Sequence, residues 1–220
     1  MSLPPGEPPA GPWQVRFLSS LIRALLGVAD TQPGRPCVLA IDGRGGSGKT
    51  TIAERIRAAV PGAAAVHTDD VAWNHSFFDW VDPLVRGVLE PIHQGTPVAY
   101  QPAKWREHFR AGAIFVPLGC PLVIVEGSGS GRRELMPWLD ALVWVQSDLV
   151  EAERRCLVRD GASEEAKCFW SEWTAEELPF YAHQRPWERA DSFVAGTPTL
   201  PHDARTEIVT SACSDVRGDP

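Results

Sequence analysis

Paired cysteines are missing from this chain. Cys37, Cys120, Cys156, Cys168 and Cys213 form no C-x-x-C unit, and their number is odd. That argues against a zinc site or a disulfide framework and for a reducing, cytoplasmic setting. A positive excess is also missing: 21 Lys and Arg against 28 Asp and Glu leave a formal charge of −7. A nonspecific nucleic-acid binder is ordinarily basic, so no nucleic-acid partner is expected. No run of about 18 apolar residues exists, so no membrane span is expected. No basic start leads into a long apolar stretch, as a signal peptide would require. Repeats and composition breaks are absent as well, which leaves a single domain over residues 13–220 as the expectation. Asparagine occurs once, at Asn74, and His75 follows it. The chain therefore has no N-K-x-D stretch of the kind guanine-specific switches carry.

What is present is an alternation of short apolar runs with amphipathic ones. The opening MSLPPGEPPAGP is rich in proline and glycine and aperiodic, so a disordered or extended tail is expected over residues 1–12. Over residues 13–28, Phe17, Leu18, Leu21, Ile22, Leu25 and Leu26 share a stripe that predicts an amphipathic helix, which DTQPGRP then breaks. Apolar runs at 37–42, 63–70, 121–127, 141–146 and 191–196 read as strands, with a weaker candidate at 206–211. Helical patterns lie near 48–59, 80–95 and 148–168. Alternation of this kind predicts an α/β fold: a three-layer α/β/α sandwich around a mainly parallel, five-stranded sheet.

Between the first apolar run and the helix after it stands GRGGSGKT, residues 43–50, which satisfies G-x-x-x-x-G-K-[ST]. Glycine lets the backbone approach a ligand with φ > 0, and successive N–H groups then form an anion nest. The helix beginning beside Gly48 adds its partly positive end. Candidate phosphate-binding residues are Gly43, Gly45, Gly46, Ser47, Gly48, Lys49, Thr50 and Thr51. Lys49 suits the β- and γ-phosphates of ATP, and the Thr50 hydroxyl suits Mg²⁺.

Ligands of an open α/β sheet bind outside the carboxyl ends of its strands. Asp42, Asp69, Asp70 and Glu126 fall there. Asp42 immediately precedes the loop and reads as structural. Asp69 or Asp70 fits the part of a base accepting a hydroxyl proton; Asp70 equally fits a helix cap. Glu126, with Thr50 and Asp69, fits a magnesium site, because Mg²⁺ needs only one or two protein carboxylates.

Taken in order, VLAIDGRGGSGKTTIA, HTDD, VIVEG and RRCLVRDG resemble the uridine kinase and phosphoribulokinase branch of P-loop kinases over most of residues 37–196. The resemblance implies a P-loop NTPase fold with a helical lid, at about residues 150–190, and ATP- and Mg²⁺-dependent phosphorylation of a small-molecule hydroxyl. It maps the catalytic base onto Asp69 and the third-strand acid onto Glu126. Lid arginines map onto the helix carrying Arg154, Arg155 and Arg159, of which Arg155 and Arg159 share a face. The region of Arg185 and Arg189 maps near the nucleotide base. Two departures bear on the acceptor: Asp69 is followed by DVAW rather than an aromatic-rich stretch, and Ala103 and Lys104 stand where tyrosine and aspartate are typical.

The aromatic-rich VAWNHSFFDW, residues 71–80, reads either as a pocket for a flat acceptor or as a satellite core beneath its loop. Trp105, Trp170, Trp173 and Trp187 raise the same pair of readings. Other functions remain open: a nucleoside monophosphate kinase, for which Arg106, Arg110, Arg132 and Arg133 are available, and a non-catalytic ATP-binding regulator.

Overall fold

The computed structural model describes residues 1–28 and 34–212; Cys213, the remainder of the C-terminal segment and residues 30–33 of the helix-breaking stretch lie outside them. In chain order the elements are β1 (Gln14–Phe17), α1 (Leu18–Val28), β2 (Cys37–Gly43), α2 (Lys49–Ala59), β3 (Ala64–His67) and α3 (Thr68–Ala72). Next, α4 (Val81–Leu84) continues through a π-helical turn (Val85–Leu89) into α5 (Glu90–His93). Then come β4 (Val98–Tyr100), α6 (Ala103–Glu107), β5 (Ile114–Val116), β6 (Leu122–Glu126) and β7 (Ala141–Gln146). The chain closes with α7 (Leu149–Arg159), α8 (Glu164–Gln184), β8 (Ser192–Ala195) and β9 (Glu207–Ala212).

The main sheet runs β1-β9-β8-β7-β2-β6-β3. Its five parallel strands, β8, β7, β2, β6 and β3, are the apolar runs of the sequence. The expected count of five needs correction to seven, because β9 and β1 add an antiparallel edge. β1 occupies the start of the stretch expected to be wholly helical. Its four residues are all exposed, as an edge strand's can be, and Phe17 stays 61% exposed rather than joining the stripe. The buried stripe of α1 is Leu18, Leu21, Ile22 and Leu25, at the i, i+3, i+4, i+7 spacing of a helix face.

Alternation along β2 builds both halves of the core. Leu39 and Ile41 pack with α1 and with Ile52 and Ile56 of α2. On the opposite face Val38 joins Val66, Leu84 and Leu89, and Ala40 joins Leu142, Trp144 and Tyr181. β4 and β5 form a separate hairpin that three-residue strands left unannounced in the sequence. No helix among the described residues is long and apolar enough to cross a membrane.

The expectation of disorder over residues 1–12 also needs correction. This segment is extended, but it is packed across the carboxyl end of β7. Ala10 N–H donates to Gln146 Oε1 (2.8 Å), Ser2 O accepts from Leu149 N–H (2.9 Å), and Glu7 is buried. Its prolines rule out periodic structure without ruling out partners for the residues between them.

Candidate nucleotide site

The loop of residues 43–50 joins the carboxyl end of β2 to the amino end of α2, where the helix terminus is partly positive. Gly46 and Gly48 take φ of 72° and 94°, a region costly for residues with a Cβ. At Gly46 a Cβ would also lie 2.1 Å from the Ala152 carbonyl oxygen, so the loop closes tightly against α7. Within the loop the Arg44 carbonyl accepts from Ser47 N–H (3.0 Å) and from Lys49 Nζ (3.1 Å).

A cleft of about 410 Å³ opens beside the loop. Of the sequence candidates, Gly45, Gly46, Gly48, Lys49, Thr50, Thr51, Asp69, Glu126, Arg155 and Arg159 line it. Gly43 and Ser47 sit beneath, both buried. Thr50 Oγ1 donates to Glu126 Oε1 (3.0 Å), and His67 Nδ1 lies 2.7 Å from Glu126 Oε2. Burial pushes the Glu126 carboxyl up, but the His67 hydrogen bond, the Lys49 charge and the Thr50 hydrogen bond outweigh it and hold it below the usual glutamate range. The same bond to Glu126 pushes the His67 imidazole up, against the opposing effect of burial. These are hard oxygen donors. Among the described residues no three His, Cys, Asp or Glu form a metal cage. Oxygen donors are the kind Mg²⁺ takes, and Thr50, Glu126 and Asp69 are the residues that could hold one.

The two neighbouring aspartates at the end of β3 part company. Asp69 is exposed in the cleft. Asp70 turns away and pairs with Arg110, whose guanidinium lies 3.6 Å above the centroid of the Trp105 ring. Trp105 Nε1 in turn donates to the Asp70 carbonyl (2.7 Å).

On α7, capped by Asp148, Arg155 donates to the Gly196 carbonyl (2.8 Å) and to Glu151 (3.0 Å). Arg159 pairs with Asp160 (2.7 Å), which pushes its pKa up. Arg154 pairs with Glu151 and is more than half exposed. Arg185 and Arg189 do not line the cleft: Arg185 pairs with Glu188, and Arg189 donates to the Gly131 carbonyl (3.0 Å).

Several contacts that shape the site were not foreseen from the sequence. Glu177 on α8 is buried and accepts from Gly45 N–H (2.8 Å) and from the Ser128 hydroxyl (3.3 Å). Burial pushes its pKa up. One turn on, the Tyr181 hydroxyl donates to Asp42 Oδ1 (2.6 Å). Asp42 also accepts from the amides of Gly43, Gly129 and Gly131, a structural role that ties the 127–131 loop to the phosphate loop. A visible signal existed: Trp170, Trp173, Glu177, Tyr181 and Gln184 recur at helical spacing; the first four meet the loop, and Gln184 meets Arg133 and Glu134. Of the 71–80 aromatics, Phe77 and Phe78 join α8 as a satellite cluster, whereas Trp80 is buried in the main core with Trp73 packed against it. Phe78 stacks on Phe180 (3.9 Å, 9°), and Phe77 meets Trp173 edge-on (5.0 Å). Phe169, Trp170 and Trp173 form the apolar wall of the cleft.

No protein-family model matches the chain, and no curated protein matches it. Solved structures do. A protein named as a "possible uridine kinase" from Bacillus stearothermophilus superposes with a TM-score of 0.53 at 16% identity, over 80% of this chain and 96% of the other. A protein named as a "putative fructose transport system kinase" from Silicibacter sp. TM1040 gives 0.54 at 18% identity, over 79% and 94%. The fold is that of the P-loop kinases.

Proposed function

We propose that this chain is an ATP-dependent kinase that phosphorylates a hydroxyl group of a small molecule. The observation carrying the reading is that Asp69 faces the same cleft as Lys49, Arg155 and Arg159, while Asp70 is held outside it by Arg110. In the proposed reaction the acceptor oxygen attacks the γ-phosphorus, its proton passes to the Asp69 carboxylate, and the bond to the β–γ bridging oxygen breaks to release ADP. Lys49 and the loop amides hold the β- and γ-phosphates. Arg155 and Arg159 neutralise charge that develops on the transferring group. Thr50 and Glu126, with Asp69 nearby, would hold Mg²⁺, which would supply further charge neutralisation to the phosphates.

An alcohol acceptor is better supported than a nucleoside monophosphate. Arg110 is committed to Asp70, Arg132 to Glu134 and the Phe78 carbonyl, and Arg106 to the Gln101 carbonyl; none of them lines the cleft. Uridine itself is not favoured, since Lys104 pairs with Glu107 on α6 where a nucleoside-contacting aspartate is typical. The apolar wall of Phe169, Trp170 and Trp173 suits an acceptor with a flat or apolar body. The odd, unpaired cysteine count supports a cytoplasmic setting.

The test is calorimetric titration with ATP, with and without Mg²⁺, followed by a screen of nucleosides, sugars and vitamin-like alcohols for acceptor-dependent ADP release. Mg²⁺-dependent binding plus one acceptor that stimulates turnover is the expected result. Tight binding with no acceptor-stimulated turnover would favour the non-catalytic regulator.

A further inference from the structure

We infer that the 1–12 segment is a working part of the nucleotide site, and that Glu7 is a positioning residue for the phosphate loop, acting through Arg44. The inference rests on reading residues 43–50 as a phosphate site.

Arg44 is the second residue of the loop, yet its side chain is only 2% exposed and runs away from solvent to Glu7, whose side chain is fully buried (Nη1–Oε2, 2.6 Å). The other Glu7 oxygen accepts from Trp144 Nε1 and from Gln146 Nε2, both at 2.8 Å. Those two residues belong to β7, the strand beside β2. The carbonyl of Arg44 meanwhile accepts from Lys49 Nζ and Ser47 N–H. A single residue thus joins the 1–12 segment, through its side chain, to the phosphate-binding lysine, through its backbone. The segment is held at both ends, by Ser2 at the start of α7 and by Ala10 on Gln146.

Packing alone does not explain the pair. A buried ion pair is commonly matched or bettered in stability by apolar side chains of similar volume. What such a pair supplies is a fixed register, and the register fixed here is that of the Arg44 peptide.

The consequence is reciprocal coupling: the strap favours the binding shape of the loop, and nucleotide in the loop must favour the docked strap. Two full-length variants test it, Glu7→Gln and the double Glu7→Met/Arg44→Met, with folding followed by circular dichroism and ATP affinity by calorimetry. Both are expected to fold and to bind Mg²⁺–ATP about tenfold more weakly, inside the ~5–150-fold range of ordinary couplings between sites. In the wild-type protein, ATP is expected to slow hydrogen exchange at the Glu7 and Ala10 amides as well as at 43–50. Folded variants with wild-type affinity overturn the inference. So does ATP protection confined to 43–50, which decides the matter should either variant fail to fold. A wild-type chain with no affinity for ATP takes down the phosphate-site reading first, and this inference with it.

Discussion

The two ends of the cleft are built by different means. At the end proposed for phosphate the backbone does most of the shaping. Glycines at positive φ, the N-terminus of α2 and buried acids shape the loop: Asp42 accepts from the Gly43 amide and Glu177 from the Gly45 amide. At the other end Asp69 stands exposed on a five-residue helix; the aromatic rings of α8 are shared with the loop, Trp170 and Trp173 lying beside Gly45. Phosphate groups are the same in every nucleotide, so their cradle can be rigid and local. An acceptor differs from enzyme to enzyme, so the side proposed for it can rest on exposed side chains such as Asp69.

The sharpest way to break this comparison is to remove one charge from each end. Asp69→Asn is expected to lower kcat by about 10²–10⁴-fold while leaving the calorimetric ATP affinity within a factor of about two. Lys49→Ala is expected to lower turnover by about 10²–10³-fold and, unlike the first variant, to weaken ATP binding as well. If Asp69→Asn weakens ATP binding as much as Lys49→Ala does, the carboxylate acts mainly at the metal and the two ends are not separable.

The same division governs what could be read in advance. The phosphate loop is one contiguous stretch, and the five parallel strands are contiguous apolar runs, so both were legible. β1 was not, because four residues are too few to show alternation and Phe17 adjoins the stripe of the helix that follows. Nor was the docking of the 1–12 segment, since Glu7 and Arg44 are 37 positions apart and nothing local marks them as partners. Gly45 and Glu177 are 132 apart. The stripe from Trp170 to Gln184 was visible as a pattern, but a pattern on one helix does not name the surface it meets. The aromatics of 71–80 were ambiguous for the same reason, and the structure divides them: Phe77 and Phe78 close onto α8, whereas Trp80 is buried in the main core and Trp73 packs against it.

The smallest expected effect is the most discriminating one. Asp70 and Arg110 are each about a third exposed, so their ion pair contributes on the order of 0.5–1 kcal/mol. Asp70→Asn leaves Arg110 stacked over Trp105, where a cation gains from the ring face without a carboxylate partner. Thermal unfolding should therefore fall by a few degrees at most, with turnover within about threefold of wild type, beside a loss of about 10² or more for the adjacent Asp69→Asn. Two neighbouring aspartates differing this far in consequence would show that side-chain direction at the end of β3, rather than position in the chain, selects the base. The reverse pattern, with Asp70→Asn inactive and Asp69→Asn active, would mean that Arg110 releases Asp70 when acceptor binds, and the base would then have to be assigned one residue later.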